Sequence, residues 1–212
     1  MSRYDYVIWD FNGTLLDDVM TGILSVNKLL SDRGLATVDS VERYREVFRF
    51  PIIDYYRALG FDFEAESYEK LAPQWVSLYL ENVKTAKLYC DVEQTLSYVK
   101  ERGIRQTVLS ATELQMLKGQ LDDLGISGEF EEVMGLDNIH AGSKVELAKQ
   151  WREAHPHARA LFVGDTDHDA KTAEAMEADC ILVCRGHQSK EYLLTLGVDV
   201  ADTLEEIKEL LE

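Results

Sequence analysis

Tyr4-Asp5-Tyr6-Val7-Ile8-Trp9-Asp10-Phe11-Asn12-Gly13-Thr14-Leu15-Leu16-Asp17-Asp18 is the stretch that decides how this chain is read. Tyr6 to Trp9 is a short, apolar, β-rich run of the kind that forms a buried strand. Asp10 follows at once, which puts a carboxylate where such a strand leaves its sheet. In an open α/β sheet, ligands bind outside the carboxyl ends of the strands. Asn12-Gly13 is also a strong turn pair, so a plain hairpin turn with Asx caps is the competing reading. The rest of the chain decides between the two.

After this stretch the pattern turns helical. Val19, Ile23, Val26 and Leu30 recur at helical spacing, with Asp17 or Asp18 placed to cap them and Gly34 to stop them. A segment through Val41 and Val47 leads to Phe48-Arg49-Phe50-Pro51, where Pro51 suits the first position of a new helix. Leu71, Trp75 and Leu78 predict a long helix over about residues 64–84. Residues 18–87 therefore read as a small helical insertion with no strand of its own.

From Leu88 helices and strands alternate. Val92, Leu96 and Val99 predict a helix closed by Gly103, and Gln106 to Leu109 a strand. Thr112-Glu113-Leu114-Gln115 has the form of a capping box, opening a helix with Leu114, Leu117, Leu121 and Leu124 on one face. Phe130 to Met134 is a weaker strand, and Ser143-Lys144-Val145-Glu146 a second capping box leading through Trp151. Ala160 to Val163 and Cys180 to Val183 are buried-strand candidates, and Leu204, Ile207 and Leu211 mark a closing helix. Such alternation predicts an α/β fold: a parallel sheet with helices on both faces.

With 212 residues, 46% of them hydrophobic, the chain suits one typical domain plus a modest insertion, and disorder is excluded. No apolar run reaches the ~20 residues of a membrane span. No charged-then-apolar leader opens the sequence, so no signal peptide is expected. Cys90, Cys180 and Cys184 form neither a disulfide framework nor a metal-type spacing, and the last two are expected to be small buried hydrophobes. A reduced cytoplasm fits. The formal charge of −17 argues against a nucleic-acid partner, whose phosphates demand cations. It also repels small anions, unless a bound cation and a few placed Lys or Arg reverse the field locally.

Four motifs in order carry a family resemblance. They are Asp10-Phe11-Asn12-Gly13-Thr14, Ser110 after Thr107-Val108-Leu109, Lys144 in Gly142-Ser143-Lys144, and Gly164-Asp165-Thr166-Asp167-His168-Asp169. Together they resemble the haloacid-dehalogenase-like phosphatases, in the phosphoglycolate-phosphatase-like branch. The family's first motif is Asp-x-Asp-Gly-Thr, so one position departs: Asn12 stands where its second Asp would be. The resemblance implies a Rossmann-like core over 1–17 and 88–212, interrupted by a helical cap over 18–87. It implies a Mg²⁺-dependent hydrolase of a small phosphorylated metabolite, acting through an aspartyl-phosphate on Asp10.

The remaining roles follow from the same resemblance. Asp10, the backbone carbonyl of Asn12 and Asp165 would hold the metal, with Asp169 close behind. Independently, Asp165, Asp167 and Asp169 crowd like charges that call for a cation, and oxygen-only ligands beside a phosphate suit Mg²⁺. Asp167 and His168 are expected to be solvated neighbours. Gly13, Thr14, Ser110, Ala111 and Lys144 would contact the substrate. Lys144 sits in the first turn of a helix, where the dipole disfavours a cation, so a compensating anion is expected. Removing it should therefore leave the fold intact. Of the cap arginines Arg45, Arg49 and Arg57, Arg49 is chosen as the substrate contact. His155 and His157 lack a third ligand for zinc, and Arg185-Gly186-His187 resembles a non-catalytic family loop.

Asn12 is the sharp departure. The family's second Asp protonates the leaving alkoxide and then activates water, and a carboxamide can do neither. Turnover of alkyl phosphates should suffer most, and Asn12→Asp should restore it. The alternatives are a non-catalytic or regulatory phospho-ligand-binding protein and a metal-free haloacid dehalogenase, against which the acidic cluster argues. Oligomeric state is not legible.

Overall fold

The computed structural model describes residues 3–136 and 143–211. Gly142, part of the lysine motif, lies outside the described residues. The chain begins with β1 (Tyr6–Trp9), then β2 (Leu16–Asp17) and four helices: α1 (Val19–Asp32), α2 (Val41–Val47), α3 (Ile52–Ala58) and α4 (Tyr68–Asn82). β3 (Lys87–Leu88) and α5 (Val92–Glu101) follow, then β4 (Arg105–Glu113), α6 (Leu114–Asp123) and β5 (Glu132–Leu136). The last part runs α7 (Lys144–Ala154), β6 (Ala160–Gly164), α8 (Asp167–Ala175), β7 (Asp179–Val183), α9 (Lys190–Leu193), β8 (Asp199–Ala201) and α10 (Ile207–Leu210).

Six strands form one sheet in the order β5-β4-β1-β6-β7-β8, with every pairing parallel. This is a Rossmann-like arrangement. β1 lies inside it, flanked by β4 and β6, so the chain winds outward in one direction and then the other. Strand order reverses there, and the crevice at the carboxyl ends beside β1 is where such sheets bind ligands.

Alternation along β1 explains the two layers of the core. Val7 and Trp9 join one apolar cluster with Val92, Leu96, Leu117, Leu121 and Ile207. Tyr6 and Ile8 point the other way, into a second cluster with Trp151, Phe162 and Met176. Helices α5, α6 and α10 thus cover one face, and α7 and α8 the other. The helical insertion has its own core, in which Val19, Ile23, Val26 and Leu30 of α1 pack with Tyr44, Tyr55, Tyr56 and Leu71.

Several boundaries differ from the sequence expectation. β2 and β3 pair antiparallel, Leu16 with Leu88 and Asp17 with Lys87, and close the base of the insertion; two-residue strands carry no periodic signal. β4 runs four residues past Leu109, so Thr112 is extended and opens no helix. Glu113 caps α6 instead, accepting the Met116 N–H. Ser143 does cap α7, accepting the N–H of Glu146. The later strand begins at Glu132, not Phe130, and Pro51 stands one residue before α3. Cys184 is not packed as a hydrophobe, because its thiol donates to Asp202 at 3.0 Å. Among the described residues no helix is long and apolar enough to cross a membrane.

Candidate active site

Two strand ends and the irregular part of β4 deliver the site. Asp10 follows β1, and its N–H donates to the carbonyl of Val163 in β6. Asp165 follows β6, and Ser110 lies on β4 one residue beyond Leu109. Register therefore brings residues far apart along the chain to one edge of the sheet. The turn after Asp10 needs Gly13, whose φ of +73° is left-handed and whose Cβ would fall 2.8 Å from the Asp165 carboxyl carbon and 2.7 Å from the His187 ring.

Asp10, Asp165 and Asp169 are all buried, and their carboxylate oxygens lie within 4.8 Å of one another. Lys144, also buried, reaches in from the start of α7 and hydrogen-bonds both Asp10 and Asp169. Thr14 Oγ1 lies 3.4 Å from Asp10 and 3.4 Å from Asp165. Asp169 closes the capping box of α8: one of its oxygens accepts from the amides of Asp165 (3.0 Å) and Thr166 (2.9 Å) and from the Thr166 hydroxyl (2.7 Å).

The electrostatics follow from this crowding. Burial, aided by Asp169, pushes the Asp10 carboxyl up to about 6 even though Lys144 opposes it. Burial raises Asp165 well above the carboxylate range, and repulsion from Asp169 and Asp10 adds to this. Asp169 is held below the range, because Lys144 and the Thr166 and Asp165 donors outweigh its burial. Burial alone would lower Lys144, but Asp10 and Asp169 hold it above the ordinary lysine value. Three carboxyl groups share one ammonium, so the cluster lacks the positive charge that would hold all three ionised. A hard divalent cation with oxygen ligands fits that donor set. The turn after Asp10 also suits this role. Leu16 bonds to Phe11 O and Gly13 N–H, so that bridge does not engage the Asn12 carbonyl.

Asn12 is half-buried and tied at both ends of its side chain. Nδ2 donates to Asp18 at 3.0 Å and to the Tyr79 hydroxyl at 2.7 Å. Oδ1 accepts from Thr112 Oγ1 at 2.9 Å and, more weakly, from Ser110 Oγ at 3.4 Å. Asp18 stands at the N-cap position of α1, but its side chain does not cap it. It accepts from Gly13 N–H at 2.8 Å and Tyr79 OH at 2.6 Å, and lies 3.3 Å from His187 Nε2. His187 also donates its backbone N–H to Asp165 at 2.7 Å, and its Nδ1 meets Tyr44 OH at 2.9 Å. Burial would lower the imidazole, yet Asp18, Asp165 and Asp10 raise it to about 9.

The sequence motifs thus converge, with two exceptions. Arg49 is exposed and its Nε donates to Val47 O at the end of α2, at 3.1 Å. Ala111 is also exposed and offers only its backbone. Asp167 and His168 are not the solvated neighbours expected. Asp167 is buried, exchanging hydrogen bonds with Gln188 at 2.7 and 2.8 Å, and the ring of His168 stacks on Phe50 at 4.8 Å. The sequence reading missed Asp18, Tyr79, Thr112 and His187 as site residues. Position gave one clue: His187 closely follows β7, at the carboxyl ends of the strands.

Residues 7–183 match the family model described as haloacid dehalogenase-like hydrolase. The phosphoglycolate phosphatase of Aquifex aeolicus (strain VF5) is 28% identical over 198 residues, covering 85% of each chain. That of Nitrosococcus oceani is 26% identical, covering 100% of this chain and 98% of its own. Among solved structures, Protein Tyrosine Kinase A of Mycobacterium tuberculosis is similar with a TM-score of 0.81 and 23% identity, covering 98% of both chains. A haloacid dehalogenase-like family protein from Streptococcus pneumoniae gives 0.78 at 17% identity, covering 99% of both. Neighbours named for different reactions establish the fold, not the chemistry.

Proposed function

Because the chain belongs to the haloacid dehalogenase-like hydrolase family, we propose that it is a Mg²⁺-dependent phosphatase of a small phosphorylated metabolite, acting through Asp10. The observation that carries this reading is the buried Lys144 ammonium held between Asp10 and Asp169. One cation set among three carboxylates, at the ligand-binding edge of the sheet, is a receptor for a phosphoryl group and a counter-ion. Asp10, Asp165 and the Asn12 carbonyl would hold Mg²⁺, supported by Asp169. Bound there, the metal supplies Lewis-acid charge neutralisation of phosphoryl oxygens.

Asp10 is the nucleophile: its oxygen forms the new bond to phosphorus as the bond to the leaving oxygen breaks. Lys144 offsets the charge of nucleophile and phosphoryl group, and the Ser110 hydroxyl and the Thr14 side chain orient the phosphoryl oxygens. The leaving oxygen takes its proton from solvent, since the Asn12 carboxamide is no acid. Phosphates with good leaving groups, acyl and aryl, should then react faster than alkyl phosphates. Water finally hydrolyses the phosphorylated Asp10 without a base at position 12, so that species should accumulate.

A second reading, a phospho-ligand-binding protein without turnover, is favoured by the full set of hydrogen bonds on Asn12. A phosphate-release panel with Mg²⁺ and with EDTA separates the two. Release should vanish in EDTA and in Asp165→Asn, which removes a formal charge from the metal ligands, and metal binding measured by calorimetry should weaken with it. Activity unchanged by EDTA would overturn the metal site, and absence of turnover by protein free of contaminating phosphatase would leave the binding reading.

A further inference from the structure

The polarity of the hydrogen bonds around Asn12 is fixed by chemistry. An ionised carboxylate accepts and cannot donate, so the amide nitrogen must face Asp18, 3.0 Å away. The amide oxygen then faces Thr112 Oγ1 at 2.9 Å, which must donate to it. Thr112 also donates its backbone N–H to Ser110 Oγ at 3.1 Å. With both of those donors committed, the Ser110 proton is left to turn toward Thr112 Oγ1 at 3.1 Å, toward Asn12 Oδ1 at 3.4 Å, or toward a phosphoryl oxygen. Tyr79, arriving from α4, gives its proton to Asp18 at 2.6 Å and accepts from Asn12 at 2.7 Å. Asn12, Asp18, Tyr79 and Thr112 thus each have one consistent direction, and only the Ser110 proton has a choice of acceptor.

A carboxylate at position 12 breaks that consistency. Its outer oxygen would stand 3.0 Å from Asp18 in place of the amide nitrogen, with the single Tyr79 proton between two anions. We propose that Asp18 and Tyr79 are positioning residues for position 12. Together they orient the Asn12 carboxamide, and through it the hydroxyls of Thr112 and Ser110, so that Asn12 and Asp18 act as one matched amide–carboxylate pair. The activity arm of the test below rests on the phosphatase reading. It follows that Asn12→Asp alone does not restore an acid/base group. Exchanging the two side chains does. The amide nitrogen, moved to position 18, would then donate to the carboxylate now at position 12, and the geometry is kept with its polarity reversed.

The test compares four proteins: the parent chain, Asn12→Asp, Asp18→Asn, and the double exchange. Thermal unfolding without substrate is one readout, and turnover of an alkyl and an aryl phosphate the other. Each single change should lower both the unfolding temperature and aryl-phosphate turnover, the latter by about tenfold, the scale of one lost charged hydrogen bond. The exchange should recover stability beyond additivity and raise alkyl-phosphate turnover over the parent by roughly 10²–10⁴, the worth of a positioned acid or base. Additive stabilities, or a full alkyl-phosphate gain in Asn12→Asp alone, overturn the pairing. If none of the four releases phosphate, the phosphatase reading fails and the unfolding cycle alone decides: coupling upholds the pair and additivity overturns it. Should Asp18→Asn not fold, Tyr79→Phe keeps the ring stacked on Trp75 at 5.0 Å while removing the hydroxyl. Its kcat on the aryl phosphate should fall about tenfold at constant KM, and an unchanged kcat overturns the positioning role.

Discussion

Lys144 shows how burial can reverse a prediction made from the helix alone. A cation in the first turn of α7 opposes the helix dipole, an effect of about 0.3–1 kcal/mol at an exposed site. On that basis alone, Lys144→Ala would be neutral or mildly stabilising. In the structure the ammonium is buried and bonded to two buried carboxylates. Breaking a buried pair by removing one partner costs about 3–5 kcal/mol, because the remaining charges lose their compensation. Lys144→Ala should therefore unfold at markedly lower temperature in EDTA and regain part of the loss in millimolar Mg²⁺. Unfolding curves with and without the metal would show this, and an unchanged curve in EDTA would refute it. Burial raises the Asp10 carboxyl against the pull of Lys144, whereas at Asp169 Lys144 is joined by the Thr166 and Asp165 donors and burial is outweighed.

At the scale of elements, what matters is how the helical insertion is seated on the sheet. Arg45 of α2 donates from Nε to Gly186 O at 2.8 Å and from a terminal nitrogen to Arg185 O at 2.5 Å. Phe48 stacks on His187 at 5.0 Å, and Phe50 on His168. Arg45→Ala should speed amide hydrogen exchange over residues 41–50 while leaving 160–164 unchanged; equal protection in both proteins would show that the rings alone hold the insertion down. The strands that carry Asp10, Ser110 and Asp165 were legible because each is an apolar run that ends in a polar residue. The end of β4 was not, since Ser110-Ala111-Thr112-Glu113 looks like a turn and a capping box, and only pairing with β5 draws it into the sheet. Lys144 and the acidic cluster were legible from motif order. Asp18, Tyr79 and His187 were not, because Tyr79 and His187 lie 61 and 169 positions beyond Asp18 and meet it only when the insertion docks. Local spacing carries no record of such contacts.

The molecule as a whole carries a formal charge of −17 and should repel the anions it is proposed to bind. On the proposed reading, the site answers with Lys144 and a bound metal, both at short range. The long-range field remains unfavourable to an approaching phosphate and is screened by salt, since the Debye length falls from about 30 Å at 0.01 M to about 8 Å at 0.15 M. At fixed free Mg²⁺, kcat/KM for a small phosphate dianion should therefore rise with added monovalent salt. A steady fall would mean that the field at the mouth of the site is positive despite the net charge.

The two-residue strands at the base of the insertion have a consequence for how such a molecule can change. Leu16 pairs with Leu88 and Asp17 with Lys87, so the chain enters the insertion and leaves it at adjacent points, about 5 Å apart. That seam is a splice site. A segment of any length whose own ends meet can be exchanged there without rethreading a single strand of the sheet. The clustered carboxylates and their lysine can thus stay in register while the cassette above them is replaced.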